Sequence, residues 1–124
     1  MQSHQSYESG SGYGLLAAVD NFESIFDINI SNAYINAPFF AEVGILIGKI
    51  DCTTKAKTNK IYNCTADGTV IGYSNIGGLV GSMLYAGTII NCMTNTMIIG
   101  SHDVGGICGL AYETIDIIYN CYVA

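Results

Sequence analysis

Self-similarity at a fixed offset limits what this chain can fold into more than any other feature. The block Asn75-Ile-Gly-Gly-Leu-Val-Gly81 recurs as Asp103-Val-Gly-Gly-Ile-Cys-Gly109, and more loosely as Glu42-Val-Gly-Ile-Leu-Ile-Gly48 and Gly12-Tyr-Gly-Leu-Leu-Ala-Ala18. A second block follows each of these: Ile61-Tyr-Asn-Cys64, Ile89-Ile-Asn-Cys92 and Ile118-Tyr-Asn-Cys121, with Ile25-Phe-Asp-Ile28 as a degenerate first copy. The third block is Thr69-Val-Ile-Gly72, then Met97-Ile-Ile-Gly100, with Ala33-Tyr-Ile-Asn36 in the first copy. The marker glycines Gly14, Gly44, Gly77 and Gly105 stand 30, 33 and 28 residues apart, so the period is near thirty.

Each repeat holds three apolar runs rich in Ile, Val, Leu and Tyr and bounded by Gly, Asn, Thr and Ser, a pattern of strands and not of helices. Fifteen Gly, a single Pro and no Trp fit a chain with many tight strand corners. Short strands repeating every thirty residues predict a coil that stacks on itself, each coil pairing in parallel with the next about 4.8 Å away. The expected fold is therefore all-β: a right-handed parallel β-helix, or β-solenoid, of about four coils with three short strands per coil. An antiparallel sandwich and a propeller compete. The lack of repeated hairpin signals counts against the sandwich, although Asp67-Gly68 is one such signal. Propeller blades want four strands and about forty residues.

The blocks resemble the GLUG motif, a short repeat whose core reads approximately G-G-L-V-G followed by G-T-I-x-N-C-Y or N-S-Y. Gly77-Gly-Leu-Val-Gly81 with Gly87-Thr-Ile-Ile-Asn-Cys92 fits both halves, and Gly105-Gly-Ile-Cys-Gly109 with Ile118-Tyr-Asn-Cys-Tyr122 fits nearly as well. In 41–74 Ile45 and Leu46 stand where the second Gly and the Leu belong, and 12–40 matches poorly. GLUG repeats occur in surface and secreted proteins of bacteria and some protists, in adhesin-like stalks and beside protease domains. The resemblance thus implies an extracellular or cell-surface location and a structural or binding role. It carries no catalytic residues. Gly77, Gly78, Gly81, Gly105, Gly106 and Gly109 transfer only as structural positions.

The repeat also sorts side chains into columns. Asn63, Asn91 and Asn120, preceded by Asp27, read as a structural ladder of stacked amides. Calcium wants several converging carboxylates, and this column has one. Beside it, Ile28 is followed by Cys64, Cys92 and Cys121, stacked thiols at a position that accepts Ile and so reads as small buried apolar residues. A disulfide between adjacent rungs is the alternative. Five cysteines leave at least one unpaired within the chain, and no C-x-x-C pair points to zinc.

The four Lys are the only basic side chains besides two His, and Lys49, Lys55, Lys57 and Lys60 all fall in the longest corner, between Gly48 and Ile61. That corner is the candidate contact loop, suited to anionic glycans or a protein partner. A merely solvated insertion is the competing reading. His102 beside Asp103 offers a base and an orienter without a nucleophile or oxyanion motif, and Thr94 and Thr96 do not repeat as an ice-binding grid would. No catalytic, cofactor or metal residues are expected.

Ten acidic residues against four Lys, a net charge of −6, argue against a nucleic-acid partner. No apolar run is long enough to span a membrane as a helix, so membrane insertion is not expected, and the start of the chain carries no secretory signal. Residues 1–11 read as a disordered leader, followed by repeats at 12–40, 41–74, 75–102 and 103–124, the last incomplete. The expected function is a non-enzymatic, adhesin-like stalk or binding surface. The alternative is a self-assembling subunit whose uncapped solenoid ends stack end to end into a fibre.

Overall fold

The computed structural model describes residues 12–19, 24–51, 60–84, 87–112, 117–119 and 121–123. The leader, Cys52, Lys55, Lys57 and Asn120 lie outside the described residues. The described residues are all-β, with no helix and hence none long and apolar enough to cross a membrane.

The first repeat contributes β1 (Leu16–Val19), β2 (Ser24–Phe26) and β3 (Asn29–Asn36). The second contributes β4 (Ala41–Val43), β5 (Ile47–Asp51), β6 (Lys60–Tyr62) and β7 (Thr65–Ile71). The third opens at β8 (Ser74–Gly77) and runs through β9 (Val80–Leu84), β10 (Thr88–Ile90) and β11 (Met93–Ile99), and the fourth opens at β12 (His102–Gly105) and adds β13 (Cys108–Tyr112), β14 (Ile117–Tyr119) and β15 (Tyr122–Val123). Every pairing between these strands is parallel, and the chain returns to the same sheet at every fourth strand. The orders are β1-β5-β9-β13, β2-β6-β10-β14, β3-β7-β11-β15 and β4-β8-β12.

The period therefore holds four strands where the sequence suggested three. The extra one comes from the first block, which is not a single strand: it bends at Gly78-Leu79, so that Ser74–Gly77 and Val80–Leu84 enter different sheets. The Asp67-Gly68 hairpin signal is also resolved against a hairpin. Both residues lie inside β7, and Gly68 has φ of 146°, with the backbone of Ala33 so close that a Cβ would fall 2.1 Å from its carbonyl oxygen. That close approach sits opposite an irregularity in β3 between Ile30 and Ala33. Asn32 there takes φ of 55° and its N–H donates to Asp67 Oδ1 at 2.9 Å. The bulge shifts the third block by one residue, pairing Tyr34, not Ala33, with Thr69.

The other blocks stack in the register their sequences suggest. Ile25, Ile61, Ile89 and Ile118 are in line, and so are Gly77 and Gly105. Inward positions of the middle repeats build the core. Leu46, Ile47, Ile76, Leu79, Val80, Met83 and Ile89 are fully buried, and β7 alternates Ala66 and Val70 inward with half-buried residues between. Parallel ladders close the backbone hydrogen bonds while each apolar column packs beneath the next.

Candidate functional site

Two columns of corner residues give the outer surface its shape. Asp27, Asn63 and Asn91 have φ of 56°, 55° and 52°, the left-handed region that Asn and Asp enter most readily among residues with a side chain. What the second-block column shares is thus a backbone conformation. A second column occurs just before the first-block glycine: Gly12, Glu42, Asn75 and Asp103, with φ of 79°, 64°, 57° and 51°. Asp27, Asn63 and Asn91 stand between strands of different sheets, whereas Glu42, Asn75 and Asp103 lie inside β4, β8 and β12 as left-handed irregularities that the parallel pairing passes over.

Glu42 differs from the exposed Asp27 and Asp103 in its burial: a charged left-handed residue inside β4, it is only 7% exposed. The wholly buried Ser82 on β9 donates its hydroxyl to Glu42 Oε2 at 3.1 Å, and Lys49 Nζ lies 3.9 Å from the same oxygen. Lys49 also reaches Asp51 Oδ2 at 4.0 Å. The ammonium is needed there because a carboxylate taken out of water without a partner is costly. Lys49, grouped by sequence with the contact loop, thus lies within β5 and pairs with the carboxylates of Glu42 and Asp51. Of that group, the structure describes only Lys49 and Lys60, and Lys60 is exposed.

Lys60 opens β6 and joins Asn63 and Asn91 of the amide column. A shallow groove of about 260 Å³ on the outside of the β2-β6-β10-β14 sheet is lined by Ser24, Lys60, Tyr62, Asn63, Ile90 and Asn91. The register explains the grouping. Ser24 and Lys60 pair across β2 and β6, Tyr62 pairs with Ile90, and the left-handed corners at Asn63 and Asn91 follow directly. Beside the groove Phe26 stacks on Tyr62, ring centroids 5.0 Å apart and planes 6° from parallel, with Phe26 half exposed. One exposed ammonium, two amides, a hydroxyl and an aromatic face thus converge on one strip of surface. Ser24, Phe26, Tyr62 and Ile90 were not singled out from sequence. Their signal was the outward parity of the second block, which alternation alone leaves open because apolar residues of both parities occur there, Ile89 and Ile90 or Ile118 and Tyr119.

The thiol column behaves as a packed interior. Cys64 and Cys92 are buried free thiols, and Cys121 is half-buried. Each stacked sulfur lies near a carbonyl, Cys64 to Tyr62 O at 3.4 Å, Cys92 to Ile90 O at 3.3 Å and Cys121 to Ile89 O at 3.6 Å. Hydrogen bonding from Cys92 holds the Cys64 thiol down to about 7 against the opposing effect of burial. The same contact, with burial, pushes the Cys92 thiol well up, so this sulfur keeps its proton. Thr94 is wholly buried and its hydroxyl donates to Gly106 O at 2.8 Å, placing it in the interior and not on an ice-binding face. His102 is exposed and meets the Tyr73 ring edge-on at 5.6 Å. Among the described residues no group of three or more His, Cys, Asp or Glu is arranged to hold a metal ion.

Comparison with protein-family models, with curated proteins and with solved structures finds no match for this chain.

Proposed function

We propose that this chain is a right-handed parallel β-helix that works as a non-enzymatic, adhesin-like repeat module outside the cell and binds anionic glycans in the groove above Lys60. The four-strand parallel period supports the coil, and parallel crossovers are right-handed in nearly all sheets. The resemblance of Gly77–Gly81 and Gly87–Cys92 to GLUG repeats supports the location and the role.

The observation that carries the reading is the convergence of Lys60, Asn63, Asn91, Ser24 and Tyr62 on one groove, with Phe26 stacked on Tyr62 beside it. Sugars present hydroxyl pairs that amides and hydroxyls satisfy, apolar C–H faces that lie on aromatic rings, and, when acidic, a carboxylate or sulfate for an ammonium. Its volume of about 260 Å³ suits one sugar ring, with the rest of the glycan running along the sheet. The chain is acidic overall, so attraction of an anion has to be local, and Lys60 supplies it.

Calorimetric titration with a uronic-acid or sulfated oligosaccharide tests this. We expect Lys60→Glu to weaken binding about tenfold at low salt, a change of ~1.4 kcal/mol, with added salt narrowing the gap. Tyr62→Ala should weaken binding of acidic and neutral sugars alike. Absence of binding, or indifference to both substitutions, sinks the reading.

A further inference from the structure

The Lys60 groove belongs to a longer strip of surface that repeats from rung to rung. Ser24, Lys60 and Thr88 stand in one line across β2, β6 and β10, and Phe26, Tyr62 and Ile90 in the next. The left-handed Asp27, Asn63 and Asn91 follow at the corner. Backbone bonds tie these corners together: Asp27 N–H donates to the Tyr62 carbonyl and Asn63 N–H to that of Ile90, each at 3.2 Å. Every rung, about 4.8 Å from the last, therefore offers a hydroxyl or an ammonium on one side, an apolar or aromatic face in the middle and an amide or carboxylate on the other.

The strip is long across the strands and short along them. β2, β6 and β10 are three residues each, and past the corner the chain enters a different sheet. A ligand lying along one strand leaves the strip after about 10 Å, whereas one lying across the strands meets the same kinds of group again on each rung. An extended β-linked polysaccharide advances by close to one strand spacing per ring, so successive rings take successive rungs. Charge does not repeat in this way. The β6 rung carries the ammonium of Lys60, the β10 rung has the uncharged Thr88 and Asn91, and the β2 rung has the exposed carboxylate of Asp27, next to Phe26. An acidic ring on the β6 rung meets a cation. A second acidic ring lying on Phe26 meets a carboxylate of like sign, well inside the ~10 Å over which salt screens such charges.

On the reading that the groove binds anionic glycans, we propose that Asp27 sets its charge specificity. The glycan runs along the stack with one ring per rung, and Asp27 restricts the acidic ring to the Lys60 rung. The preferred ligand is then an extended β-linked polysaccharide in which acidic and neutral rings alternate, and not one that is acidic on every ring.

Calorimetric titration of the full chain at low salt tests this with two tetrasaccharides. One alternates glucuronic acid with N-acetylglucosamine in β linkage, and the other is β-linked mannuronic acid, acidic on every ring. The wild type should bind the alternating probe about threefold or more tightly than the mannuronate. Asp27→Asn removes the charge and keeps a residue that enters the left-handed region. It should strengthen mannuronate binding until the gap closes and leave the alternating probe unchanged. Asp27→Gly makes the same test if circular dichroism shows the first variant unfolded. The alternating tetrasaccharide should also bind about tenfold more tightly than its disaccharide, because added rings reach further rungs. Equal wild-type affinity for the two tetrasaccharides, a gap that survives the loss of Asp27, or a tetrasaccharide no better than the disaccharide overturns the proposal and leaves the groove reading standing. Binding of neither probe overturns both.

Discussion

Asn63 illustrates how one residue serves both the fold and the surface. Its left-handed conformation turns the chain out of β6 toward β7, and in doing so resolves a parity that sequence alternation left undecided. Ile61 points in at 1% exposure, Tyr62 is half-buried on the outer face, Asn63 takes the corner and Cys64 points in again at 0%. A strict two-residue alternation breaks at the corner, so the recurring Asn was legible as a column while the faces of its neighbours were not. If conformation is the main reason for Asn here, Asn63→Gly should leave stability within about 0.5 kcal/mol, since glycine enters this region freely. Asn63→Ala should cost about 1–2 kcal/mol, the strain of a Cβ in the left-handed region. Urea unfolding of the two variants checks the order. Equal losses in both would show that the amide's interactions outweigh the conformation.

At the level of elements, the sequence predicts which segments are strands better than it predicts how the chain moves between them. Block spacing placed Ile61, Ile89 and Ile118 in one line, and the register agrees. The bend at Gly78-Leu79 was hidden, because Ile76-Gly-Gly-Leu-Val80 reads as one apolar run and nothing in its composition separates a strand from a corner joining two. The one-residue shift of Tyr34 was hidden for a related reason: it depends on a bulge fixed by Asp67, 35 residues away from Asn32. The corner makes its own demand on Gly77, where a Cβ would stand 1.9 Å from the Val80 carbonyl oxygen and 2.8 Å from that of Ile107. Backbone atoms on both sides leave nothing that can rotate away. At Gly72, by contrast, the nearest atoms are the side-chain ends Ile76 Cδ1 at 2.6 Å and Val43 Cγ2 at 3.0 Å. Gly77→Ala should therefore cost more than about 3 kcal/mol and Gly72→Ala about 1–2 kcal/mol. Thermal or urea unfolding measures both, and a Gly77→Ala protein as stable as Gly72→Ala would remove the argument that the corner is set by backbone crowding.

Across the whole molecule, stability should follow the stack and not the sequence. Each repeat touches only its neighbours, so a strand in the middle has hydrogen-bonded partners and buried columns on both sides, while an edge strand has them on one. The buried side chains obey this: the largest fully buried ones all lie between Val43 and Ile89. Local opening of an edge strand breaks one ladder, whereas opening β7 or β9 separates the repeats above and below. Amide hydrogen exchange at low protein concentration should consequently give a profile that peaks over β5–β10 and falls toward both ends. A difference of ~3 kcal/mol in opening free energy corresponds to about a hundredfold in protection. The slow amides should include Val70 and Val80, and the fast ones Leu16, Phe26 and Val123. Uniform protection from β1 to β15 would mean that the stack opens only as a whole.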